Sequence, residues 1–277
     1  MPALFQSNQA MQRVWMFHGL ENETQRSTMS TTKMVNKNKL PEKAFAGAPR
    51  FQRLFVRTIL RPFVKMFYKV ELEGLENIPK SGPAIFCPNH LSFFEITLLL
   101  ALSKRNISFI GKIEYMDSWK TRWLSKFGMI PVNRSGGSYA DDTFEACKKV
   151  LHRGELLGIF PEGTRTPDGR LYRGHTGAAR LATWVGCPII PVGVFGTDVI
   201  QPHDRPFPKL SGKAKIVFGE PIDVNITASL QKKDDPIYWR QITDKLMEKI
   251  GNITGQEYCN EYSTKTREEY KKAFENS

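Results

Sequence analysis

The stretch Ala84-Ile85-Phe86-Cys87-Pro88-Asn89-His90-Leu91-Ser92-Phe93-Phe94-Glu95 is where the fold first becomes readable. Five uncharged residues read as a buried strand, the polar pair Asn89-His90 interrupts them, and an apolar helical pattern runs from Ser92 to Leu102. Strand, short loop and helix make up the repeating unit of an open α/β sheet. Such sheets build their sites just beyond the carboxyl ends of their strands. Working outward, further strands are expected over 70–75, 107–111, 129–132, 156–160, 188–195 and 213–218. Helices are expected over 115–126, 139–153, 177–185 and 236–250, followed by a charged helical tail. This alternation predicts a single α/β domain over 70–277, its sheet mixed but mostly parallel and flanked by helices on both faces.

The 277 residues carry 40 basic and 28 acidic side chains, a formal charge of +12, and 40% are hydrophobic. That composition suits a folded core and argues against general disorder. No apolar run approaches the roughly 20 residues that a transmembrane helix needs. Residues 21–42 are polar and lack periodicity, so 1–49 read as a disordered N-terminal extension. Cys87, Cys147, Cys187 and Cys259 have no CxxC or metal spacing and read as reduced core thiols, and the five histidines form no metal constellation.

Half of the net charge lies in residues 50–69, which hold six cations and no acid. A folded body near neutrality beside one basic segment is a poor footprint for nucleic acid and a good one for an anionic surface. Arg53, Arg57, Arg61, Lys65 and Lys69 recur every four residues, opposite Phe55, Val56, Ile59, Leu60, Phe63, Met66 and Phe67. The pattern predicts a basic amphipathic helix lying in a membrane interface, with Phe63 and Phe67 among its apolar contacts. Packing of the same apolar face on the domain is the alternative, and both can hold for different parts of it. Pro62 is expected to kink or split the helix between 58 and 61.

Four strand ends carry candidate chemistry. His90 and Glu95 lie five apart, so they meet only if His90 sits in the loop before the helix. A carboxylate on the imidazole Nδ1–H would then leave Nε2 as a base. Ser92-x-x-Glu95 is also a capping box, so Glu95 has a purely local role open to it. In Phe160-Pro161-Glu162-Gly163-Thr164-Arg165-Thr166, a tight turn with hydroxyls and a guanidinium suits a phosphate, and Glu162 could orient a hydroxyl substrate or the arginine. Lys112-Ile113-Glu114 and Gly128-Met129-Ile130-Pro131-Val132-Asn133-Arg134 would each bring one cation to the same sheet edge.

Taken in order, these motifs and Pro188-Ile189-Ile190-Pro191-Val192 resemble the glycerolipid acyltransferases, in particular the 1-acyl-sn-glycerol-3-phosphate acyltransferases, over roughly residues 70–220. The Phe-Pro-Glu-Gly-Thr-Arg string is the most specific part. The resemblance implies that His90 is the general base and that Glu95 stands where the family usually has Asp. It implies acceptor phosphate binding by Lys112, Arg134 and Arg165, and an acceptor-site block at Glu162, Gly163 and Thr164. Ile189, Ile190 and Val192 match the last block, whose role is less settled. The expected reaction moves an acyl group from coenzyme A or acyl carrier protein to the sn-2 hydroxyl of lysophosphatidic acid, with no metal or redox cofactor. Backbone N–H groups near the helix start are the expected oxyanion donors. Other lysophospholipid or lyso-aminolipid acceptors, or a catalytically silent lipid-binding role prompted by Glu95, are alternatives. The expected setting is the cytoplasmic face of a membrane, peripheral or monotopic.

Overall fold

The uncharged strand at the head of the quoted stretch is β2 (Ala84–Pro88), all five residues buried. In the computed structural model it lies at the centre of a seven-stranded sheet, between β7 (Ile189–Phe195) and β5 (Leu156–Gly158), and parallel to both. The structure describes residues 54–112, 129–132, 138–202, 205, 207–224 and 232–263. The N-terminal extension 1–49, Arg53, the helix expected over 115–126, Arg134 and the last fourteen residues lie outside that set.

Beyond β5 come β3 (Ile107–Lys112) and β4 (Met129–Val132), again parallel. On the other side, β8 (Gly212–Phe218) runs antiparallel to β7, and β1 (Tyr68–Glu73) closes the edge parallel to β8. Five strands therefore point one way and two the other, the mixed, mostly parallel sheet expected. The parallel strands are almost wholly apolar because both faces are covered. Along β2 and β7 alternate residues enter two separate cores. Ile85, Cys87 and Ile189 face helices α3 (Ser138–His152), α4 (Gly177–Val185) and α6 (Pro236–Thr254). Ala84, Phe86, Ile190 and Val192 face α1 (Arg61–Phe67) and α2 (Phe94–Leu102). Each leucine or phenylalanine so buried contributes about 1.5–3 kcal/mol.

Helix α3 presents Ala146, Cys147, Val150 and Leu151 to the first core, an i, i+1, i+4, i+5 stripe. Three of the cysteines are buried thiols, as expected, and Cys259 is half-buried. Burial pushes the thiols of Cys87 and Cys147 far up and that of Cys187 to about 12. Helix α6 starts where Asp235 accepts from the N–H groups of Ile237 and Tyr238 and Pro236 takes the first turn. It ends at Thr254, four residues beyond the expected stop, with Gly255 as its cap. The chain does not continue directly into a helical tail. Tyr258–Cys259 form β9, paired with β6 (Leu171–Tyr172).

The basic helix departs from its expected form in two ways. Pro62 has no N–H to give, and the ladder before it widens to a π-helical turn over Val56–Leu60, closed by the Arg61 N–H on the Val56 carbonyl. Lys69 is not on the helix at all. Tyr68 turns extended, buries its ring 4.7 Å from that of Phe94, and bonds the Lys209 carbonyl at 2.6 Å, so Lys69 becomes a strand residue. The apolar face divides. Val64 is buried and Leu60 half-buried against the second core, whereas Ile59, Phe63, Met66 and Phe67 stand exposed. Arg57 and Lys65 are exposed and Arg61 is half-buried. No helix among the described residues is long and apolar enough to cross a membrane.

Candidate active site

The carboxyl ends of β2, β3, β4, β5 and β7 share one edge of the sheet, because these five strands run in the same direction. His90 follows β2, Lys112 ends β3, the Phe160–Thr166 loop follows β5, and Thr197 follows β7. The backbone thus brings the candidate motifs together as expected. The side chain of Lys112 lies outside the described set, as does Arg134.

His90 sits in the loop before α2, and its Nδ1 is 2.8 Å from Oε2 of Glu95. Glu95 is fully buried, and its other oxygen, Oε1, accepts from the N–H groups of Leu91 and Ser92, both at 2.7 Å, and from the Thr197 hydroxyl at 3.0 Å. The two readings of Glu95 are therefore both realised, one on each oxygen. Oε1 caps the start of the helix, and Oε2 orients the imidazole. Four donors meet one carboxylate, so Nδ1 carries its proton and Nε2 is left with a lone pair. The glutamate spans the gap that a shorter aspartate would have to close by moving the helix.

The imidazole is also held by its surroundings. Phe160 stacks on it with ring centroids 3.8 Å apart, and Phe160 in turn lies 6.1 Å from Phe109 in a second stack. Gly158 makes that second ring possible, since a Cβ there would lie 2.1 Å from Phe109. The backbone of His90 is fixed at both ends. Its N–H donates to Glu162 Oε1 at 3.0 Å, and its carbonyl accepts from the Thr166 N–H at 2.8 Å.

Glu162 has a backbone role that the sequence does not suggest. It is fully buried, and its second oxygen accepts from the Tyr172 N–H at 3.0 Å. It ties the His90 loop to β6. Burial pushes its carboxyl up to about 8, against the pull of the two N–H donors, and the charges of Glu95 and Asp168 add to the rise. Gly163 takes φ +75° in the turn closed by its N–H on the Phe160 carbonyl, a conformation that disfavours any side chain. Thr164 is buried in the same loop. The Arg165 guanidinium lies 4.3 Å over the Phe93 ring, next to the loop that carries His90.

Four of the N–H groups near the helix start, where oxyanion donors are expected, already have acceptors within the protein. The N–H groups of Leu91 and Ser92 are held by Glu95, that of His90 by Glu162, and that of Phe94 by the Ser92 hydroxyl at 3.2 Å. A capping carboxylate and an oxyanion hole compete for the same donors, and Glu95 has those of Leu91 and Ser92.

Three positioning residues were given no role by the sequence. Asn89 exchanges both its amide groups with Val194 of β7 at 2.8 and 3.1 Å. The Asn89 N–H also donates to the carbonyl of Val192, in the last motif, at 3.3 Å, so β7 anchors the loop that carries His90. Gln256, from the C-terminal segment, bonds Asn89 at 2.9 Å and the Gly169 carbonyl at 2.6 Å. Thr197 braces Glu95. Asn89 abuts His90 in the motif and was open to suspicion, but nothing local marks Thr197 or Gln256. Among the described residues no three His, Cys, Asp or Glu side chains gather as a metal site.

A buried imidazole with a free Nε2, oriented by a carboxylate on one sheet edge beside an arginine loop, can take the proton of a hydroxyl. Residues 69–195 match the family model described as Acyltransferase. The chain is 35% identical over 158 residues to a chloroplastic 1-acyl-sn-glycerol-3-phosphate acyltransferase of Arabidopsis thaliana, covering 56% of this chain and 44% of that one. It is 31% identical over 179 residues to the Brassica napus chloroplastic enzyme of the same name, covering 62% and 52%. The chain thus spans about half the length of these relatives. The crystal structure of the 1-acyl-sn-glycerophosphate acyltransferase PlsC from Thermotoga maritima superposes with a TM-score of 0.53 at 26% identity, covering 74% of this chain and 84% of that one.

Proposed function

We propose that this protein transfers a fatty acyl group from a thioester to the sn-2 hydroxyl of lysophosphatidic acid, giving phosphatidic acid. The observation that carries the reading is the 2.8 Å contact between His90 Nδ1 and Glu95 at the carboxyl end of the central strand. His90 Nε2 removes the proton of the acceptor hydroxyl as its oxygen attacks the thioester carbonyl carbon. Glu95 holds the ring and stabilises the imidazolium that forms. Collapse of the tetrahedral intermediate breaks the C–S bond, and the imidazolium returns the proton to the departing thiolate. Arg165 draws the acceptor phosphate toward the loop, with Lys112, Arg134 and Thr164 as further contacts, and so positions the hydroxyl. Glu162 and Gly163 serve the acceptor by shaping that loop. The names of the plant relatives and of the Thermotoga structure support this acceptor.

The donor is acyl-coenzyme A or acyl carrier protein. The acceptor resides in a bilayer, and the exposed Ile59, Phe63, Met66 and Phe67, flanked by Arg57, Arg61 and Lys65, support a peripheral or monotopic seat on the cytoplasmic face of an anionic membrane. Thiol release from acyl-coenzyme A and from acyl carrier protein, measured against a panel of lyso-acceptors, tests the reading. Lysophosphatidic acid should be the best acceptor. Equal turnover with a phosphate-free acceptor would move the assignment to another lyso-lipid.

A further inference from the structure

The opposite edge of the sheet carries a second concentration of positive charge that acyl transfer does not use. A cavity of about 420 Å³ opens there, lined by Arg57, Lys104, Arg105, Asn106, Arg153 and Glu155, with Gly154 between the last two. Asn106 and Glu155 immediately precede β3 and β5, whereas His90 lies beyond the far end of β2. A five-residue strand separates the two edges by roughly 16 Å. One ligand phosphate cannot serve both places.

The lining is built to hold an anion. Arg105 forms a fixed floor, since its guanidinium donates to the carbonyls of Pro79 at 2.7 Å, Gly154 at 2.6 Å and Gly82. These bonds knit together the segments leading into β2 and β5. Arg153 makes only a long 3.4 Å contact to Glu155, the one acid of the lining. Arg57 and Lys104 are exposed and have no acidic partner among the described residues. Four cations against one carboxylate leave a net positive cavity with no apolar side chain in its wall. Such a wall suits a phosphate ester and offers nothing to an acyl chain or an aromatic ring.

We propose that this cavity is a phosphate-ester binding site separate from the acyl-acceptor site. Its ligand is the headgroup of an anionic phospholipid or a soluble phosphorylated molecule. The lipid source is favoured by Arg57, which lines the cavity from the same helical segment that exposes Ile59, Phe63 and Met66. A surface seated on those apolar residues would present its headgroups at the cavity mouth.

Sedimentation with vesicles of phosphatidylcholine, with and without phosphatidylglycerol, tests the lipid arm. Calorimetric titration with sn-glycerol 3-phosphate tests the soluble arm. Each is run on the full chain, on Lys104→Ala and Asn106→Asp, on Arg165→Ala at the acyl-acceptor site and, as a matched control away from the cavity, on Lys245→Ala, whose side chain is exposed on α6. Lys104→Ala should weaken binding in the responding arm about fivefold, the worth of one cation at an anionic surface. Asn106→Asp should weaken it at least as much, and Lys245→Ala by less than about twofold. Response to vesicles alone assigns the site to a lipid headgroup, and response to glycerol phosphate assigns it to a soluble ester. Equal effects of Lys104→Ala and Lys245→Ala would show diffuse attraction and overturn the site. So would glycerol phosphate binding that Arg165→Ala abolishes and Lys104→Ala leaves intact. None of these readouts uses acyl transfer, so the site stands or falls apart from the proposed reaction.

Discussion

Replacing Glu95 by Gln removes one charge and preserves shape, and the structure dictates which way the new amide must face. Oε1 is met by two backbone N–H groups at 2.7 Å and by the Thr197 hydroxyl at 3.0 Å. An NH2 placed there would oppose two fixed donors, so the amide oxygen must occupy that position and the NH2 must take the place of Oε2, 2.8 Å from His90 Nδ1. A donor at that point inverts the imidazole tautomer. Nδ1 becomes the acceptor, Nε2 carries the proton, and the base is lost. The expected loss in kcat is about a thousand- to ten-thousandfold, the scale found when an orienting carboxylate is turned into its amide. The acceptor KM should hardly move, because no phosphate contact changes. Stability should fall by about 1.5–3 kcal/mol, the worth of one hydrogen bond to a charged group. Steady-state thiol release gives kcat and KM, and nitrogen NMR of the imidazole gives the tautomer. A Glu95→Gln enzyme within tenfold of the parent, or one with Nδ1 still protonated, would refute the orientation argument.

The remaining predictions concern the loop, the acceptor and the membrane. The raised Glu162 carboxyl keeps its proton in the folded state at pH values where the unfolded chain has lost it. Its contribution is therefore fully present below about pH 4.5 and is lost as pH rises toward about 8, a change on the order of a few kcal/mol. Melting temperatures of the parent should fall across that window more steeply than those of Glu162→Gln, and parallel curves would contradict the shift. Arg165→Ala should raise the KM for lysophosphatidic acid by about ten- to a hundredfold while leaving that for a phosphate-free acceptor alone. An unchanged KM would remove Arg165 from the phosphate site. Ile59→Ser with Met66→Ser should lower partition onto phosphatidylglycerol vesicles at least about tenfold with little change in melting, since both side chains are more than half exposed. Unaltered partition would leave the helix with its packing role only.

The elements with strong local signals were legible from the chain. The bounds of β2, β4 and α4 coincide with the expected ones because each is an apolar run of the right period bounded by Pro, Gly or a polar break. The His90–Glu95 contact was legible as a possibility, because a spacing of five fits only one local geometry. The long-range ties escaped. Strands β6 and β9 have two residues each, too few for any periodicity to show, yet they bring the C-terminal segment against the motif loop. Through that pairing Gln256 reaches Asn89, 167 residues away. The backbone role of Glu162 escaped for a related reason. Its sequence neighbours suggested a ligand, while its actual partners, the N–H groups of His90 and Tyr172, become neighbours only after folding. The split in the apolar face of the basic helix likewise depends on α2, which takes Val64 and leaves Met66 to solvent.

The proposed reaction rests on an imidazole nitrogen that takes the proton of a lipid hydroxyl. Phosphatidic acid formed from saturating lysophosphatidic acid and acyl-coenzyme A, compared between the parent and His90→Ala at matched melting temperature, measures this most directly. The expected result is at least about a hundredfold loss of product, the minimum worth of a general base. Product formation by a folded His90→Ala protein at the parental rate would contradict it.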